Sequence, residues 1–231
     1  MAIVKDFGKM FNRNGITLVE LIIIIAIIGI LAALGIPEIN RFAADSKVRS
    51  CATDLIQNMK VARAMAIKEN RQYLIVFDTA NNRYLIGFDG DGDNNLITLN
   101  SDTFGICQDT DNDRLPNNDT DTNGDGIPDC VRTVNLMNCG NNIIFGYATG
   151  TKPPNGPNGT PIPDDGITFP GDIAEFDPDG SMDRLGSAYI QQTTRGYSYC
   201  VRISNQAGNV NMWKWDGDKD NTTVTTWTEL R

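Results

Sequence analysis

The chain has 231 residues, a formal charge of −9, 40% hydrophobic and 21% charged side chains, and no histidine. The missing histidine excludes histidine-based acid–base catalysis and histidine metal ligation. The acidic balance argues against a general nucleic-acid surface, which needs clustered Lys and Arg.

The first fifteen residues carry Lys5, Lys9 and Arg13 against Asp6. Gly15 to Pro37 then reads GITLVELIIIIAIIGILAALGIP, and between Ile16 and Ile36 only Thr17 and Glu20 are polar. A helix of that length crosses a bilayer core of ~30 Å. Glu20 does not suit a plain anchor, because on insertion scales a carboxylate at membrane depth costs roughly 2.5–3.5 kcal/mol and needs a partner. A secretory signal has a shorter apolar stretch and its cleavage site after it. Basic residues before the anchor predict a cytoplasmic N-terminus and an exported C-terminal part.

Beyond Pro37 the helix is expected to continue to about Asn70. Val48, Ala52, Leu55, Met59, Ala62 and Ala66 recur every three or four residues, an apolar stripe on one face. Arg41, Asp45, Lys47, Arg49, Asp54, Lys60 and Lys68 lie mostly off that stripe. Pro37 lacks a backbone donor and is expected to kink or locally melt the helix. Strands are predicted at Tyr73–Phe77 and Arg83–Phe88, joined by the turn Asp78–Asn82. Later candidates are Ile143–Tyr147, Ile167–Phe169, Ala188–Gln192, Tyr197–Ser204, Asn209–Trp215 and Thr222–Glu229. Lys152–Asp165 is a Pro/Gly loop. Trp213 and Trp215 share a strand face and are read either as an exposed binding platform or, preferably, as packing on the sheet or on the acidic insert at 89–130.

The middle is unusual. Asp89 to Asp129 holds eleven Asp, no Glu and one basic residue, Arg114. It opens with Asp89, Asp91 and Asp93, then repeats a twelve-residue pattern: Asp109, Asp111, Asp113 and Leu115-Pro116 align with Asp121, Asn123, Asp125 and Ile127-Pro128, ending at Asp129. Alternating Asp or Asn sets oxygens on one side of a tight loop, the donor set Ca²⁺ takes. Carboxylates this dense repel one another, so a divalent cation is the natural counter-charge. The closing Glu of an EF-hand is missing. The pattern resembles calcium-binding thrombospondin type 3 repeats, and a structural Ca²⁺ is expected at Asp109–Asp129, with Asp89–Asp93 a weaker candidate.

Five cysteines leave at least one unpaired or paired outside the chain. In an oxidising compartment the spacing suggests Cys107–Cys130 across the insert and Cys139–Cys200 within the sheet, with Cys51 packed as a small apolar group on the helix.

Gly15 followed by Ile-Thr-Leu-Val-Glu and a long apolar helix resembles the signal of type IV prepilins and type II secretion pseudopilins. The resemblance implies cleavage between Gly15 and Ile16 by a prepilin peptidase and N-methylation of Ile16. It also implies that Glu20 of one subunit meets the Ile16 amine of a neighbour during assembly, neutralising it where the dielectric is low. Two further stretches look like GspH/FimT-type pseudopilins: Ala62-Arg63-Ala64-Met65-Ala66-Ile67-Lys68-Glu69-Asn70 at the helix end, and Phe176-Asp-Pro-Asp-Gly180 before the last strands.

The fold class expected is α+β and pilin-like: a long membrane-spanning helix packed on an antiparallel β-rich domain. The expected organisation is a leader at 1–15, a filament-core helix at 16–36, an amphipathic helix at 37–70, and a periplasmic domain at 71–231 with its acidic insert at 89–130. After cleavage the side chains would sum to −11, from 17 basic and 28 acidic residues. The expected function is non-enzymatic: a filament subunit, foremost a minor pseudopilin of a type II secretion system. The alternative is a minor or principal pilin of a surface type IV pilus. Its partners would be other subunits, the peptidase and an inner-membrane assembly platform. A DNA-uptake pilin ranks lower, because Trp215-Asp-Gly-Asp-Lys-Asp220-Asn is no basic tract. A calcium-dependent anchored adhesin also ranks lower, since it leaves Glu20 without a role.

Overall fold

The computed structural model describes residues 16–88 and 132–230. Helix α1 spans Leu18–Glu69, 52 residues. Its C-terminal end closes by local chemistry: Asn70 takes a left-handed backbone, φ 51°, and the Arg71 N–H donates to the Ala66 carbonyl at 3.2 Å. That is a Schellman closure with Asn where Gly is commoner. The helix passes through Pro37 without a break, so the melting expected there does not occur. One proline costs a helix about 3 kcal/mol, and long runs of helix-forming residues on both sides outweigh it.

The chain divides into two compact units between Phe42 and Ala43. In the first, the apolar side chains of α1 stand exposed: Leu18, Ile22, Ile25, Ile28, Leu31 and Leu34 are each more than half accessible. By length and composition this helix suffices to cross a membrane.

In the second unit the rest of α1 packs with two antiparallel sheets. The first sheet has the order β3-β2-β1-β5, with β1 Tyr73–Asp78, β2 Arg83–Phe88, β3 Arg132–Asn135 and β5 Ile173–Phe176. The second has the order β4-β6-β7-β8-β9, with β4 Ile143–Phe145, β6 Gly186–Gln192, β7 Tyr197–Ile203, β8 Val210–Trp215 and β9 Trp227–Leu230. Side chains alternate across each strand. Tyr73, Ile75 and Phe77 of β1, with Ala188 and Ile190 of β6 and Tyr199 and Val201 of β7, therefore share one core with the helix. The helix contributes Val48, Ala52, Leu55, Met59, Ala62 and Ala66, all fully buried; these are the six residues of the stripe read from the sequence. Phe77 stacks on Phe169 at 5.5 Å and meets Phe145 edge-on at 5.6 Å, contacts that tie the two sheets together.

Three strand expectations change. Ile167–Phe169 is not a strand: Ile167 makes a single bridge to Ala188, and Phe169 leads into a 3₁₀ turn begun by Pro170. β4 stops at Phe145 because Gly146 turns left-handed, φ 75°, and sends its N–H to Tyr189 O. The last strand shrinks to Trp227–Leu230. β3 and β5 carry no strong alternation and are additions from the structure.

The disulfide pairing is also corrected. Cys51 of α1 bonds to Cys139, just after the 3₁₀ turn Leu136–Asn138, with Cα atoms 5.6 Å apart. Cys200 is a free, buried thiol, so neither the Cys139–Cys200 pair nor an unpaired Cys51 stands. The reason is strand parity. Tyr199 and Val201 point to the helix side, where Cys139 also packs. Cys200 points to the opposite face, among Tyr189 and Ile162.

Candidate processing and assembly site

The start of α1 is built from Thr17 and Glu20. The Thr17 N–H and hydroxyl both donate to Glu20 Oε2, at 3.0 and 3.1 Å. The Glu20 N–H donates back to Thr17 Oγ1 at 3.2 Å, and the first helical turn closes from Leu21 N–H to Thr17 O at 3.1 Å. This is a capping box: the Thr-x-x-Glu spacing lets each side chain satisfy the other's backbone donor. The carboxylate also lies at the positive end of the helix dipole. Sequence reasoning gives Glu20 only an intermolecular partner and passes over Thr17, although the Thr17-x-x-Glu20 spacing carries the signal. In the single subunit Glu20 already has a partner.

Ile16 precedes the cap and is 71% exposed. Gly15 lies outside the described residues. Past the cap comes the exposed apolar shaft. Burying each Leu or Ile of such a shaft is worth about 1.5–3 kcal/mol, so it requires hydrocarbon or other helices around it. A capped polar head, an apolar shaft and an antiparallel β domain define an α+β protein of pilin-like arrangement.

Comparison with known proteins agrees. Residues 10–36 match the prokaryotic N-terminal methylation motif. A fimbrial protein of Pseudomonas aeruginosa is 38% identical over 63 residues, 27% of this chain and 40% of that protein. A second fimbrial protein of the same organism matches to the same extent. The chain thus spans 40% of the length of the curated relatives it matches. No solved structure matches. The N-terminal part of the chain thus carries the methylation motif and is similar to fimbrial proteins, and the fold is an α+β, pilin-like arrangement.

The calcium candidates Asp89, Asp91, Asp93, Asp109, Asp111, Asp113, Asp121, Asn123, Asp125 and Asp129 lie outside the described residues, as do Cys107 and Cys130. Among the described residues no group of three or more Asp, Glu or Cys is placed to hold a metal. The roots of the insert are described: Ile86 of β2 pairs with Arg132 of β3, so the chain leaves and re-enters on adjacent strands.

The tryptophans form no exposed platform. Trp215 is fully buried and its Nε1–H donates to Val224 O at 2.8 Å. Trp213 and Trp227 pack around Tyr189, Cys200 and Ile162. Trp227 donates to Asn155 O of the Pro/Gly loop at 2.9 Å, which fixes that loop over the sheet.

Burial pushes the Cys200 thiol up to about 12, so at neutral pH it holds its proton and does not exchange. The Cys107–Cys130 pair expected from the sequence falls outside the described residues and is put to the test together with the observed bond. Non-reducing peptide mapping should return Cys51–Cys139 and Cys107–Cys130, with Cys200 alkylated only after denaturation. A disulfide containing Cys200 would overturn this assignment.

Proposed function

We propose that this chain is a structural subunit of a type IV pilus-like filament, and specifically a minor pseudopilin of a type II secretion machine. The observation that carries the filament reading is the exposed apolar shaft headed by Glu20. In this reading a prepilin peptidase cuts between Gly15 and Ile16 and methylates Ile16. The mature chain rests in the inner membrane with its β domain in the periplasm, until an assembly platform draws it into the filament. The finer assignment rests on the two GspH/FimT-like stretches, both of which fall at structural boundaries. Ala62–Asn70 closes α1 before β1, and Phe176–Gly180 forms the turn that precedes β6, β7 and β8. A surface type IV pilus is the second reading, favoured by the two relatives described as fimbrial proteins.

A quantitative immunoblot of sheared surface filaments against the cell envelope separates the two. Confinement to the envelope, with lost exoproteins in a deletion strain, supports the secretion pseudopilus. Abundant mature chain in the sheared fraction makes it a surface pilin.

We further read the Asp-rich insert as held by structural Ca²⁺. Calcium at a hundredfold excess over its Kd should raise the melting temperature of the chain by about 5–10 °C. Replacing 89–129 by an Asn-Gly turn, which the β2–β3 register accommodates, should abolish that shift. An EDTA-insensitive melting curve in the full chain rejects the metal.

A further inference from the structure

The charge on α1 is not evenly spread. One position beyond each core residue Val48, Ala52, Leu55, Met59 and Ala62 runs a second stripe: Arg49, Thr53, Ile56, Lys60 and Arg63. This stripe walls two adjoining cavities of about 360 and 460 Å³, which share Lys60 and Asn211 and are closed on the far side by β8, β9 and the β7–β8 turn. Together they form one groove, about 21 Å long from Arg49 to Arg63 at the helical rise. Arg49 and Lys60 are exposed, and among the described residues neither pairs with a carboxylate. Arg63 spends its Nε–H on Gly180 O at 2.8 Å. The one acid lining the groove, Glu229, accepts instead from Asn211 at 3.1 Å. A groove carrying three cations and one anion stands out on a chain of charge −9.

Its complement is in the same sequence. Asp89–Asp129 carries eleven Asp and one basic residue, and even two bound divalent ions leave it strongly acidic. We propose that this basic groove docks the Asp-rich segment of a second copy of the chain, so that neighbouring subunits are joined head to head as well as through their apolar helices. The proposal rests on the filament reading. Carboxylates of that segment not taken up by a cation are the charge complement of Arg49, Lys60 and Arg63. Such rim-exposed pairing sets register and encounter rate more than affinity, and it weakens with salt.

The test uses the full mature chain in detergent micelles and a labelled peptide of residues 108–129, followed by fluorescence anisotropy at low salt in EDTA. Saturable binding is expected. The double variant Arg49→Glu, Lys60→Glu should weaken it about ten-fold, while Lys68→Glu, at the exposed end of the same helix, should change it by less than about two-fold. Absence of binding both to the full chain and to one whose 89–129 segment is replaced by Asn-Gly overturns the proposal. So does equal loss in the Lys68→Glu variant. Binding that appears only after the segment is replaced overturns the second copy as occupant and gives the groove to the chain's own segment. Each readout is independent of whether the filament reading holds, which the shearing experiment decides separately.

Discussion

Glu20→Ala is expected to leave the subunit processed and in the membrane but absent from filaments. The difficulty in reading such a variant is that Glu20 has two roles. In the single subunit it accepts from the Thr17 N–H and hydroxyl; in the proposed assembly it neutralises a neighbour's Ile16 amine. Loss of the cap costs about 0.5–2 kcal/mol and frays one helical turn. Loss of one partner of a buried ion pair costs about 3–5 kcal/mol, which at 1.4 kcal/mol per decade is a drop of roughly a hundredfold or more at each subunit junction. Two further variants separate these roles. Gln at the third helical position still completes a capping box but carries no charge, so Glu20→Gln should fail to assemble as completely as Glu20→Ala. Thr17→Val removes the cap and keeps the carboxylate, so it should still be incorporated. The measurement is the amount of each variant in purified filaments relative to the membrane fraction. Normal incorporation of Glu20→Gln would show that capping, not charge, is what assembly requires of this residue.

The sequence is most legible where one physical period dominates. The stripe from Val48 to Ala66 is buried as its spacing predicts, because a helix that must cover two sheets has no other way to place six small and apolar residues. β2 lies at Arg83–Phe88 as read, bounded by turn residues, with Asn82 left-handed at φ 50°. Legibility fails where a contact is long-range. Arg132–Asn135 has no alternation, and it is a strand only through its pairing with β2, from Arg83 and Asn135 to Ile86 and Arg132. Ile173–Phe176 follows Gly171 and Asp172, both at positive φ, a bend no propensity argument favours. The cysteine pairing departs from its spacing for the same reason. Spacing along the chain says nothing about which face of β7 a side chain takes, and a shift of one residue would have reversed it. At the candidate site, Glu20 was visible through its cost in an apolar run. Thr17 was obscured because it read as one more tolerated polar residue, not as the other half of a cap.

The Cys51–Cys139 bond should be the largest single contributor to the stability of the β domain. It joins residues 88 apart in sequence, and the closed loop contains β1, β2, the whole acidic insert and β3. Constraining so long a loop in the unfolded chain is worth roughly 2–5 kcal/mol. The double variant Cys51→Ala, Cys139→Ala avoids placing a hydroxyl in the stripe where Cys51 is buried. It should melt about 5–15 °C lower than the parent, at 2–4 °C per kcal/mol for a domain of this size. Cys200→Ala provides the discriminating control. If Cys139 were paired with Cys200, removing either would cost the same. With Cys200 free among Tyr189, Trp213 and Trp227, its loss removes one sulfur atom from a packed site and should cost about 1 kcal/mol. Thermal unfolding of the three proteins under non-reducing conditions, then repeated with a reductant, gives the answer. The reductant should bring the parent and Cys200→Ala down by the same interval and move the double variant only by what a Cys107–Cys130 bond contributes. A Cys200→Ala protein that melts as low as the double variant, from a parent that reductant lowers by the same interval, would return the pairing to Cys139–Cys200 and detach α1 from the loop that carries the insert.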